Sequence, residues 1–175
     1  PFAGAIVRRF GRKESAVTAL LFAVVVYGSL FLVHTHSPAV YLVGLFFGSL
    51  GAGVFNLMVW AFITDVIDNH EVLTGDREDG VVYGVNSFAR KVAQGIGGLV
   101  GGSMLSIIGY VESNRGGAQQ TAQVVDRIYN LAAGLPAGCC LVAALVLLFL
   151  YPLSRRRVAE NAEVIRERHA TNTVI

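Results

Sequence analysis

Four apolar stretches, residues 16–33, 39–64, 81–108 and 128–151, dominate the 175-residue chain. A helix needs about 20 residues to cross the hydrocarbon of a bilayer, and each stretch reaches or approaches that length. Lipid offers no water to backbone N–H and C=O groups, so spans of this length must satisfy them internally, as helices. The expected fold class is therefore an all-α membrane protein with four transmembrane helices and a tail over residues 152–175. Composition agrees: 54% of residues are hydrophobic and 15% charged, too little polar surface for a soluble domain of this size. The net charge is only +2, and the basic residues are not gathered on one face, so no nucleic-acid partner is expected. Cys139 and Cys140 are adjacent in an apolar run. Neighbouring helical residues point apart, which favours packing over a disulfide or a metal site. The chain opens on Pro1 with no signal-peptide pattern before the first span, and it reads as part of a longer protein.

The connectors sort by charge. Arg8, Arg9, Arg12, Lys13, Arg77, Arg155, Arg156, Arg157, Arg166 and Arg168 fall on one side, and Arg115 and Arg127 on the other. The positive-inside rule then places the start, the loop 67–80 and the C-terminus in the cytoplasm of a multi-pass inner-membrane protein. His34 and His36 lie on the opposite turn, where a solvated pair is expected. Val158, Ala162 and Ile165 recur at helical spacing in the charged tail, which suits an amphipathic helix on the membrane surface.

Polar residues interrupt the third span. Lys91 stands eleven residues beyond Gly80, roughly 16 Å at 1.5 Å per residue and about halfway through the hydrocarbon. An ionisable group at that depth costs about 2.5 to 3.5 kcal/mol to insert, so it points to a function and to a partner. Tyr83, Ser87, Lys91 and Gln94 follow spacings of four, four and three and share a helical face, with Arg90 bordering it beside Asn86. The competing arrangement ends a shorter helix at Arg90 and Lys91, leaving residues 92–108 as a marginal span. On the second span Asn56 comes twelve residues before Asp68, a depth similar to that of Lys91. Trp60 follows one turn later. A polar ligand with an apolar face, such as a sugar, fits that pair, and an interhelical hydrogen bond fits Asn56 equally well.

Small residues and carboxylates complete the pattern. Gly97, Gly98, Gly101 and Gly102, and Gly44 with Gly48, have small-xxx-small spacing, which permits close helix approach. Pro136 is expected to kink the fourth helix. Asp65, Asp68 and Glu71 share one face at the end of the second helix, where the dipole is unfavourable to carboxylates, so cations must lie near; Arg77, Arg9 and Arg12 are available. No GxSxG, HExxH, phosphate-loop or CxxC pattern occurs, and no enzymatic reaction is expected.

The run TDVIDNHEVLTGDREDGVVYGVNSFARKVAQGIGG resembles a segment of the glycoside-pentoside-hexuronide:cation symporters, a branch of the major facilitator superfamily. There D-x-x-D-Y-G-E-x-x-T-G-x-R-x-E-G precedes a helix bearing F-x-x-K. Asp65, Asp68, Glu71, Thr74, Gly75, Arg77, Gly80, Tyr83, Phe88 and Lys91 match; Asn69-His70, Val72-Leu73 and Asp79 depart. The start, GAIVRRFGRK, resembles the superfamily loop G-x-x-x-D-R-x-G-R-R with Arg8 in place of the Asp, and YPLSRRRVAENAEVIRERH resembles the family's charged tail.

The resemblance implies that the four spans are the ninth to twelfth helices of a twelve-helix transporter. It implies cation-coupled symport of a sugar by alternating access, with Na+, Li+ or H+ as coupling ion and no other cofactor. Lys91 would approach the cation site and meet carboxylates of the absent N-terminal half. Ser87 would lie near the sugar, and Trp60 would replace a cavity aromatic that the family has at the position of Asn56. Gln94, Asn56 and Arg90 are coupling or substrate candidates from their place in the spans, not from the resemblance. Asp65, Asp68, Glu71 and Arg77 would gate the cytoplasmic side. A superfamily relative moving a non-sugar or lipid-like substrate, and a four-helix membrane assembly protein, are the competing readings.

Overall fold

The computed structural model describes residues 11–35, 37–111 and 117–172. Five helices follow one another among them: α1 (Arg12–Val33), α2 (Pro38–Thr74), α3 (Asp79–Ile107), α4 (Ala122–Leu150) and α5 (Arg155–Asn172). Four stand where spans are expected, and the fifth is the helix anticipated in the tail. By length and composition α1, α2 and α4 can cross a membrane. α3 has the length but less apolar character, because Asn86, Ser87, Arg90, Lys91 and Gln94 interrupt it.

Local chemistry sets the helix ends. His34 closes α1 in the left-handed region at φ 46°, its N–H bonded to the Leu30 carbonyl. Pro38 then opens α2, where its missing N–H costs nothing. α2 runs past the expected boundary at residue 64 and stops at Gly75, whose φ of 85° and N–H bond to the Glu71 carbonyl make a left-handed cap. Thr121 caps α4 through its hydroxyl, which accepts from the Val124 N–H. Pro136 lies inside α4, so the Ala132 carbonyl gains no helical hydrogen bond there.

The core is centred on α1, which packs against both α2 and α4. Ala16, Leu20, Ala23, Tyr27 and Leu30 are buried, and their alternating spacing of four and three puts them on one stripe. Met58 and Phe62 of α2 and Ala133, Cys140, Ala144 and Leu147 of α4 close over it. Glycines let α2 approach. A Cβ on Gly48 would lie 2.6 Å from the Tyr27 ring, and one on Gly51 would lie 2.7 Å from the Ala19 carbonyl oxygen. The close packing expected of Gly44 and Gly48 is therefore made against α1. Cys139 and Cys140 are both free thiols.

α3 stands apart: none of its residues is buried, and it packs against α2. A Cβ added at Gly97, Gly98, Gly101 or Gly102 would meet nothing within 4 Å among the described residues. α5 instead docks on the end of α2, where buried Asn161 donates from Nδ2 to Asn69 Oδ1 at 3.1 Å.

Candidate functional site

Two groups of side chains carry the expected functional residues. The first lies at the end of the bundle where α1 begins and α2 finishes. Asp65 is 2% exposed and is ion-paired with Arg12. Lys13, the next residue, points about 100° around the helix and reaches a different neighbour. Its Nζ donates to the Leu148 carbonyl at 3.1 Å and the Tyr151 carbonyl at 2.8 Å, which satisfies terminal acceptors of α4. Two consecutive cations at the start of α1 oppose its own dipole, and each is compensated by a group on another helix. Asp65 Oδ2 and the Tyr151 hydroxyl are both buried, and the two side chains interact with each other. Both residues line a cavity of about 320 Å³ together with Arg12, Lys13, Leu153 and Arg155.

One helical turn further along α2, Arg77 returns from the loop and gathers Asp68, Glu71 and Asp79. Its Nη1 is 2.7 Å from Glu71 Oε2 and 3.3 Å from Asp68 Oδ1, and its Nε is 3.1 Å from Asp79 Oδ1. The Glu71 carboxylate holds this guanidinium protonated beyond its ordinary range. Arg168 of α5 donates to the Glu71 and Val72 carbonyls at 3.0 and 3.2 Å, placing a cation at the negative end of the α2 dipole. The expectation that Asp65, Asp68 and Glu71 need cations is met by Arg12 and Arg77. Arg8 and Arg9 lie outside the described residues.

The second group lies along α3. Arg90 and Lys91 are eleven and twelve residues beyond its first residue, Asp79, so both sit roughly 16 to 18 Å along the axis. The Arg90 guanidinium carbon lies 5.6 Å from the Trp60 ring centroid, and the Trp60 and Tyr83 rings are 6.4 Å apart. Tyr83, Ser87, Arg90 and Gln94 follow spacings of four, three and four, so Arg90 flanks the polar stripe on one side and Lys91 on the other. The structure thus brings together Trp60, Tyr83 and Arg90. Asn56, Ser87, Lys91 and Gln94 are exposed and make no polar contact among the described residues. A cation–π contact contributes about 0.5 to 2 kcal/mol, less than the roughly 2.5 to 3.5 kcal/mol of inserting a cation at mid-bilayer. Trp60 therefore orients Arg90 without replacing an anionic partner.

At the opposite end His34 is engaged where a solvated pair was expected. Its Nε2 is 3.4 Å from Asp126 Oδ1, and its ring lies 4.4 Å from that of Tyr129. The Tyr129 hydroxyl donates to the Leu30 carbonyl and accepts from the Thr35 N–H, pinning the α1–α2 turn to α4. His36 lies outside the described residues. Among the described residues, no group of three or more His, Cys, Asp or Glu side chains is placed to hold a metal ion.

Lys13, Tyr151 and Arg168 escaped the sequence reading as site residues. The signal available for Lys13 was its adjacency to Arg12: two neighbouring cations on a helix cannot serve the same partner.

Comparison with known proteins places this geometry in context. The chain is 33% identical over 160 residues to a glucuronide carrier protein homolog of Escherichia coli, covering 91% of this chain and 34% of that protein. It is 30% identical to an isoprimeverose transporter of Lactiplantibacillus pentosus, covering 89% and 34% respectively. It is 29% identical to the uncharacterized symporter YjmB of Bacillus subtilis, covering 94% and 34%. The chain thus spans about a third of the length of these relatives. No solved structure matches it significantly. Residues 1–155 match the family model described as MFS/sugar transport protein. With four long helices, the Asp65–Arg77 motif and these relatives, the chain belongs to the glycoside-pentoside-hexuronide:cation symporter family of the major facilitator superfamily.

Proposed function

We propose that the full-length protein is a secondary active transporter that carries a sugar together with a cation by alternating access. Lys91 carries the reading: it stands midway along α3, with no anionic partner among the described residues, where a lone ammonium is costly. In a transporter whose two halves rock around a midplane site, that partner is a carboxylate across the cavity. Binding of Na+, Li+ or H+ to such carboxylates releases Lys91 and couples the ion to the sugar. Ser87, Gln94, Asn56 and Trp60 line the sugar's path. The reading involves no chemical reaction and no other cofactor. It also needs the part of the protein corresponding to the two thirds of its relatives that this chain does not span.

The charged end of the bundle lies in the cytoplasm of the cell membrane in this reading. There Arg12 with Asp65, and Arg77 with Asp68, Glu71 and Asp79, hold α1, α2 and α3 in one arrangement. These residues close or release the cytoplasmic side as the halves move. Relatives named for a glucuronide and for isoprimeverose support a glycoside-type substrate.

The test is uptake of labelled glycosides by the full-length protein in vesicles under imposed sodium or proton gradients. Wild type accumulates a glycoside only with a gradient. Lys91→Ala abolishes that accumulation at unchanged membrane abundance. Undiminished accumulation by the variant would overturn the assignment of coupling to Lys91.

A further inference from the structure

Arg90 is placed as a reader of anions. Its guanidinium carbon lies over Trp60 at 5.6 Å, and a cation–π contact of this kind draws on the charge without consuming the N–H donors. Among the described residues none of those donors is hydrogen-bonded and no carboxylate is paired with Arg90. Every other arginine whose side chain makes an ion pair here does so at the end of the bundle, near Asp65 and Glu71, or in α5. Arg90 is therefore held in orientation, charged and unneutralised, at mid-depth in α3.

Its surroundings match one kind of molecule. Trp60 is 48% exposed and Tyr83 39%, so two neighbouring aromatic rings present open surface beside the guanidinium. The flat apolar face of a pyranose packs on such rings. Ser87 and Gln94 lie on the same stripe as Arg90 and supply neutral hydrogen-bonding groups for hydroxyls. A planar guanidinium fork binds a carboxylate or sulfonate through two parallel N–H···O bonds, which an ammonium such as Lys91 cannot do.

We propose that Arg90, stacked on Trp60, is a specificity-determining residue that binds the acidic group of an anionic sugar, so that the transported substrate is a uronide or a comparably acidic glycoside. This rests on the sugar-transport reading above and narrows it. The anion supplied by the substrate completes the neutralisation that Trp60 begins. Lys91, on the other flank of the stripe, remains for the coupling ion.

The test compares methyl glucuronide with methyl glucoside, the same ring with a neutral hydroxymethyl group, in vesicles bearing the full-length protein. The variants are Arg90→Gln, Arg90→Lys and wild type at matched membrane abundance. Wild type prefers the glucuronide. Arg90→Gln lowers glucuronide uptake about 10- to 100-fold, as expected for loss of a bidentate charged contact, and changes glucoside uptake much less. Arg90→Lys restores only part of the difference, since charge returns without the fork. Equal losses for both sugars would assign Arg90 to a carboxylate elsewhere in the protein and overturn the proposal. So would wild-type uptake of the glucoside without the glucuronide, which leaves sugar transport standing. Uptake of neither sugar overturns this proposal, while the wider glycoside screen above decides the transport reading.

Discussion

At the scale of single residues the ion pair between Arg12 and Asp65 has the largest energetic consequence. Asp65 is almost wholly buried, with 1% of its side chain exposed, whereas Arg12 is 42% exposed. Removing one member of a buried pair strands the other, typically at a cost of about 3 to 5 kcal/mol. The exposure of Arg12 admits solvent screening and lowers the expectation to about 2 to 3 kcal/mol. Arg12→Ala is therefore expected to destabilise the protein by that amount in chemical denaturation from detergent micelles. Adding Asp65→Asn removes the stranded charge while keeping the shape, and should recover at least half of the loss. A double variant no more stable than Arg12→Ala would show that the carboxylate is solvated after all. The need for cations near Asp65, Asp68 and Glu71 was legible from helix phase and dipole alone. The division of labour between Arg12 and Lys13 was not, because it depends on which helices lie on either side of α1.

At the scale of elements the helices were legible because lipid permits few alternatives, and their close contacts were partly legible from glycine spacing. Gly44 and Gly48 were recognised as a pair, while Gly51 was not, although its approach to the Ala19 carbonyl oxygen is the most rigid of the three. A backbone atom cannot rotate aside as Tyr27 or Leu30 can. Gly51→Ala is accordingly expected to cost about 1 to 3 kcal/mol by overpacking. Gly53, two residues on in α2, has nothing within 4 Å of an added Cβ. Gly53→Ala should be neutral or stabilising by up to about 1 kcal/mol from helix propensity. Thermal unfolding of both variants in the same detergent checks the contrast, and equal transitions would mean that α1 and α2 separate more easily than their packing implies. The polar stripe on α3 was also legible, but with Lys91 as its main member. That Arg90 meets Trp60 depends on the rotation of α3 about its axis relative to α2, which residue spacing leaves open.

At the scale of the whole molecule the asymmetry of charge orders everything else. Arg12, Lys13, Arg77 and Arg168 all act at one end of the bundle, where they bind the carboxylates and terminal carbonyls of α2 and α4. At the other end, among the described residues, the contacts around Tyr129 are aromatic and neutral apart from His34 with Asp126. α3 has glycines and polar residues facing open space among the described residues, and the sequence of this chain holds no information about what covers them. The same clustering of cations that organises the packing also sets orientation, because arginine and lysine resist translocation across the membrane. A fluorescent protein fused after Ile175 should therefore fold and fluoresce in the cytoplasm. Alkaline phosphatase inserted after Gly117, between α3 and α4, should be active, since the proposed orientation exports that connector. The two reporters test opposite ends of the bundle and must agree. A dark C-terminal fusion with an inactive phosphatase insertion would invert the orientation and place the Arg12–Asp65 pair on the outer face, where it could not serve a cytoplasmic gate.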